Sequence, residues 1–111
     1  MELTSEKCVP CQAGGTPLSA QEARELAREV PGWALAEDRI ERELKLADFR
    51  RAIAFVNRVA DAAEADDHHP DICISYDRVR LTLATHKIGG LSRNDFILAA
   101  KIDRIVEAMS A

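Results

Sequence analysis

Apolar residues along this chain fall into two rhythms, one helical and one alternating. The longest helical run is Phe49, Ala52, Ile53, Val56, Val59, Ala60 and Ala63, a continuous stripe at 3.6-residue spacing. It predicts a helix over roughly residues 48–66, with Asp48 as N-cap. That helix must stop before Pro70, because a residue preceding proline avoids the helical region. Upstream, Ser19-Ala20-Gln21-Glu22 has the form of a capping box, and Ala23, Leu26, Ala27 and Val30 follow at helical spacing until Pro31-Gly32. A third helix opens at Ser92, with Asp95 three residues on, and turns Leu98, Ile102, Ile105, Val106 and Met109 inward.

The alternating stretches predict strands. Trp33–Glu37 is a short one. Ile40, Leu44 and Leu46 alternate with Glu41, Glu43 and Lys45, giving one wet face, with Glu37-Asp38-Arg39 as the turn between the two strands. Ile72, Ile74 and Tyr76, then Val79, Leu81 and Leu83, form two further runs that read as a hairpin turning at Asp77-Arg78. Gly89-Gly90 breaks the chain before the last helix. The order α-β-β-α-β-β-α predicts an α+β fold, a four-stranded antiparallel sheet with three helices packed on one face.

Composition narrows the function. A chain of 111 residues with 47% hydrophobic and 31% charged residues suits one compact domain, expected over 19–111. Residues 1–18, with Pro10, Gly14, Gly15 and Pro17, are expected to lack regular structure. A net charge of −4 without a basic run argues against nucleic-acid binding. No apolar run reaches bilayer length, and the first residues lack the pattern of a signal peptide, so a cytoplasmic protein without membrane contact is expected. Three cysteines, Cys8, Cys11 and Cys73, are an odd count that speaks against a disulfide framework.

The candidate chemistry is concentrated. All three histidines, His68, His69 and His86, lie within nineteen residues. The first two stand where the long helix must stop and the third just past the last strand, so the two ends could meet on one rim. A lone histidine at a helix end suits the helix dipole; three together with His-His-Pro suggest a site. Adjacent residues in extended geometry point apart, so one of His68 and His69 can face a ligand while the other flanks it. Acidic residues crowd the same place. Glu64 lies one helical step before His68, Asp66 reads as a solvated helix end, and Asp95 reads as a cap that could also orient His86. Trp33, the only tryptophan, reads as core.

These residues carry a resemblance. The run Glu64-Ala65-Asp66-Asp67-His68-His69-Pro70, then Tyr76, Val79, Leu81-Thr82-Leu83, Thr85-His86, Gly90-Leu91-Ser92 and Asp95, closely resembles the pterin-4a-carbinolamine dehydratases. Gly32-Trp33 and the Phe49 to Val59 helix look alike too, so that the resemblance covers about residues 18–108. It implies the fold already read from periodicity, with His68, His69 and His86 as catalytic histidines. It also implies Glu64 and Asp95 as supporting carboxylates, and a pterin pocket lined by Asp67, Pro70, Ala84, Thr85 and Lys87. Two departures stand out: Ile72 where many relatives have an aromatic residue, and Cys8-Val9-Pro10-Cys11, absent from the animal enzymes.

The reaction implied is loss of water from a 4a-hydroxytetrahydropterin, which needs a proton at the hydroxyl and removal of one from N5. No electrons move, so no redox cofactor is expected, and histidine suits both duties near neutral pH. Competing readings are a zinc site built from Cys8, Cys11 and the histidines, of which one CxxC is only half a signature, a redox-active CxxC, a dimerisation or pterin-binding module, and a dehydratase for another pterin such as a molybdopterin-related one. Exposed sheet edges favour a homodimer or homotetramer.

Overall fold

The computed structural model describes residues 3–6 and 16–110. Ser19 opens the first helix, α1 (Ala20–Ala27), with a reciprocal capping box. Its hydroxyl accepts from the Glu22 N–H at 3.2 Å, while Glu22 Oε1 accepts from the Ser19 N–H at 3.0 Å. Then come β1 (Ala34–Leu35), β2 (Ile40–Lys45), α2 (Phe49–Asp66), β3 (Asp71–Ser75), β4 (Arg78–Leu83) and α3 (Arg93–Ser110). Asp48 caps α2 by accepting from the Arg51 N–H at 2.8 Å. The strands form one antiparallel sheet in the order β1-β2-β4-β3. The expected α+β architecture, three helices with a four-stranded sheet, is the observed one.

Register decides which face is wet. Ile40 pairs with Leu83, Leu44 with Val79, Ile72 with Leu81 and Ile74 with Val79, and paired residues share a face. Ile40, Val79, Leu81 and Leu83 are fully buried there with Phe55, Val59, Phe96, Leu98 and Ile102. The opposite face carries Glu43, Arg78, Arg80, Asp71, Cys73 and Ser75, all exposed. One-sided burial of this kind is what an antiparallel sheet permits.

Three elements depart from the sequence expectation. The buried side of α2 is Ala52, Phe55, Val59, Ala63 and Asp66, while Phe49 and Ala60 lie in the open. Both stripes have helical spacing, and contact with β4 and α3 selects the one that holds Phe55 and Asp66. The β3–β4 turn is Tyr76-Asp77, one residue earlier than expected, because a two-residue hairpin needs a positive φ and Tyr76 supplies it at 55°. The Tyr76 ring stacks on Phe49, centroids 6.5 Å apart. β1 is shorter than Trp33–Glu37 because Trp33 leaves the strand for the core, where its Nε1–H donates to Asp103 Oδ1 at 2.7 Å.

Near the N-terminus, where no regular structure was expected, Leu3–Ser5 form a 3₁₀ turn with Leu3 buried against α3. The Glu6 carboxylate accepts from Arg93 Nε at 2.8 Å and Nη2 at 2.6 Å, and this bond holds its pKa below the usual range. The link is therefore kept at neutral pH and lost as pH falls through the lowered value. Cys8 and Cys11 lie outside the described residues.

Candidate active site

The site begins with how α2 stops. Asp67 takes the left-handed conformation, φ 50° and ψ 43°, and its N–H bonds the carbonyls of Ala63 and Glu64. The His68 N–H bonds the Ala63 carbonyl at 3.1 Å. This αL cap reverses the chain, and Pro70 then delivers it into β3. Two successive residues leave the reversal in different directions. His68 turns inward and is mostly buried; His69 stays exposed.

His68 Nε2 lies 2.6 Å from Asp95 Oδ1. Asp95 is completely buried, and its other oxygen accepts from the Thr85 hydroxyl and from the Ser92 N–H, each at 2.9 Å. Thr85 Oγ1 is also 2.7 Å from Ser92 Oγ. One carboxylate thus joins the exit of α2, the segment after β4 and the first turn of α3. Facing a carboxylate, Nε2 is the nitrogen that carries the proton, which leaves Nδ1 of a neutral ring as the acceptor. The sequence expectation for Asp95 is half met: it caps α3 through the Ser92 N–H, but the histidine it orients is His68 and not His86. His86 begins a 3₁₀ turn, His86–Ile88, that faces outward and closes at Gly89 with φ 70°.

Thr85, adjacent to His86, is buried and bridged to Gly90 on both sides, Thr85 N–H to Gly90 O at 2.9 Å and Gly90 N–H to Thr85 O at 3.4 Å. His86 is therefore tethered one residue from the Asp95 network while its own ring is exposed. Lys87 is exposed, and Ala84 and Pro70 are half-buried. Glu64 Oε2 sits 2.6 Å from His69 Nε2, both side chains exposed. The helical step from Glu64 pointed to His68, but the αL reversal carries His68 inside and lays His69 against the flank of α2.

Asp66 is the clearest correction. Expected as a solvated helix end, it is 7% exposed, and its Oδ2 accepts from Lys101 Nζ of α3 at 2.5 Å. Lys101 was not singled out in the sequence, although the 59, 63, 66 spacing carries Asp66 onto the buried side. Among the described residues no group of three or more His, Cys, Asp or Glu is arranged to hold a metal. A cavity of about 640 Å³, lined by Arg42, Asp103 and Glu107 among others, lies elsewhere along α3, and none of the histidines lines it. There Arg42 Nη1 is 2.5 Å from Asp103, whose carboxyl burial pushes up despite its bonds to Trp33 and Arg42.

Comparison with known proteins gives the geometry its context. The profile of the family described as pterin 4 alpha carbinolamine dehydratase matches residues 16–105. The chain belongs to the pterin-4a-carbinolamine dehydratase family. Relatives within it include a protein from Rubrobacter xylanophilus, 46% identical over 105 residues, which cover 94% of this chain and 98% of that one. Another, from Halorhodospira halophila, is 49% identical over 107 residues, covering 95% and 98%. Both carry the name pterin-4-alpha-carbinolamine dehydratase provisionally. A crystal structure of a transcriptional coactivator/pterin dehydratase from Brucella melitensis superposes with a TM-score of 0.77 at 36% identity, covering 81% of this chain and 98% of that one. Among the described residues of this family member, no helix is long and apolar enough to cross a membrane.

Proposed function

We propose that the protein is a 4a-hydroxytetrahydropterin dehydratase of the tetrahydrobiopterin-recycling type, acting through His68, His69 and His86. The observation that carries this reading is the pair of imidazole–carboxylate contacts at one end of α2, His68 with Asp95 and His69 with Glu64, both at 2.6 Å. Dehydration requires one group to protonate the C4a hydroxyl as it leaves and another to take the N5 proton. Histidines held by carboxylates in a fixed tautomer suit both tasks. Exposed His69 and His86 stand where a pterin can reach them, and Asp67, Pro70, Ala84, Thr85 and Lys87 would flank its ring. The test is stopped-flow dehydration of enzymatically generated 4a-hydroxytetrahydrobiopterin. Purified protein is expected to accelerate water loss well above the spontaneous rate, and a well-folded protein that leaves that rate unchanged refutes the reading.

The reading includes a second copy of the chain as partner. Phe49, Ile72, Ile74 and Tyr76 are 48%, 37%, 39% and 69% exposed, and lie along β3, in the turn that follows it and at the start of α2. β3 is also an unpaired sheet edge. Antiparallel pairing of two β3 strands about Cys73 would set Ile72 opposite the partner's Ile74, and Asp71 in the row that holds the partner's Arg78. Charges of opposite sign then approach across the seam. Ile74→Lys is expected to convert a sedimenting dimer or tetramer to monomer, and an unchanged sedimentation coefficient would exclude this edge. A cytoplasmic setting belongs to the same reading, since Cys73 is an exposed free thiol.

A further inference from the structure

Asp66 breaks the apolar pattern of α2 where that pattern matters most. It ends the buried series Ala52, Phe55, Val59, Ala63, and it stands one residue before the αL reversal and two before His68. A buried ion pair is a weak stabilising device, because removing two charges from water costs about as much as their attraction returns, and an apolar pair of similar volume often serves stability as well or better. What such a pair supplies is one permitted arrangement. Local rules broken without a gain in stability tend to mark functional sites.

The position defines what the arrangement controls. Lys101–Asp66 and His68–Asp95 both bridge the end of α2 to α3, at 2.5 Å and 2.6 Å. Their α3 members are six residues apart, about 9 Å along the helix. A slip of α2 by one residue would rotate its end by about 100° and shift it about 1.5 Å. A hydrogen bond tolerates only a few tenths of an ångström before it weakens. An apolar last turn could slide against α3 and stay buried, whereas the Asp66 carboxylate cannot leave Lys101 without becoming an unpaired buried charge.

We infer that Asp66 and Lys101 are positioning residues: their ion pair fixes the register of the last turn of α2 on α3 so that His68 meets Asp95. Neither touches the reacting atoms. The inference rests on the proposed role of His68, so its primary readout is independent of activity.

The test compares wild type with Asp66→Leu/Lys101→Met, which keeps the volume buried, and with Asp66→Asn, which keeps the shape and removes the charge. The ring 15N–1H signal of His68, assigned by its loss in His68→Gln, reports the bond to Asp95. In both variants that signal is expected to shift or broaden, while the double variant melts at or above the wild-type temperature. Its kcat is expected to fall by about 10-fold with KM changed less than about 2-fold, a loss in the range that misplacement of a catalytic group produces. Lys101→Arg, which keeps the cation, is expected to retain the wild-type His68 signal. A wild-type His68 signal in both Asp66 variants overturns the inference and leaves the pair a structural one. Absence of dehydratase activity in the wild type would remove the proposed function without touching the His68 signal, so the two failures are distinct.

Discussion

Alanine at His68 or at His86 is expected to slow dehydration of a 4a-hydroxytetrahydropterin by about 10²–10⁴-fold, the contribution usual for a positioned acid or base. The two substitutions differ in what else they disturb. The His86 ring is exposed and bonded to none of the described residues, so His86→Ala should leave the melting temperature unchanged and report chemistry alone. His68→Ala also strips Asp95 Oδ1 of its partner, so a loss of stability accompanies the loss of rate. His68→Gln, which can still donate to Asp95, should recover part of the stability and none of the rate. Stopped-flow traces alongside thermal melts separate these effects. Wild-type rates in both alanine variants would remove the histidines from the mechanism.

Asp95 is the residue whose loss should cost the fold most for its size. It is completely buried and accepts from His68, Thr85 and the Ser92 N–H. Asp95→Ala leaves the His68 ring N–H and the helix-end Ser92 N–H without an acceptor and forces the Thr85 hydroxyl to turn to Ser92 Oγ, at about 1–3 kcal/mol for each unsatisfied buried group. A destabilisation of about 3–5 kcal/mol is expected, and at about 4–8 °C per kcal/mol for a domain of this size the fall in Tm should exceed about 10 °C. Asp95→Asn keeps the shape and one acceptor oxygen, so its melt should lie close to wild type. Its amide, if turned toward His68, presents a donor where the ring needs an acceptor, and forces the other tautomer. Holding the wrong tautomer cripples a histidine base even when geometry survives, so activity should fall by at least about 10²-fold. A fully active Asp95→Asn enzyme would show that the tautomer of His68 does not matter. An Asp95→Ala protein that melts like wild type would show that the network contributes little.

Much of this was legible from the residues alone. The capping box at Ser19 and Glu22, the N-cap at Asp48 and the alternation in β2, β3 and β4 are local signals, each set by neighbours within four residues; the caps appear where the pattern placed them and the strands within a residue or so of it. The chain segments that carry His68, His69 and His86 were equally visible as candidates, because Pro70 forces α2 to stop and Gly89-Gly90 breaks the chain after Thr85-His86.

The partners were not legible. Glu64 is one helical step from His68, yet it bonds His69, because Asp67 adopts a left-handed conformation that rotates both histidines about the chain. Asp95 could cap α3 from sequence, but its choice of His68 over His86 depends on α2 and α3 packing side by side. Asp66 looked solvated because the aliphatic stripe could be drawn through Phe49 and Ala60 as easily as through Phe55.

The sequence by itself determined the elements, their order and the α+β class, since periodicity, caps and proline act over a few residues. Only the tertiary structure decided which carboxylate holds which histidine and that Asp66 is buried against Lys101. Those outcomes depend on a helix rotation and a chain reversal, whose energies come from contacts between residues 27 and 35 positions apart.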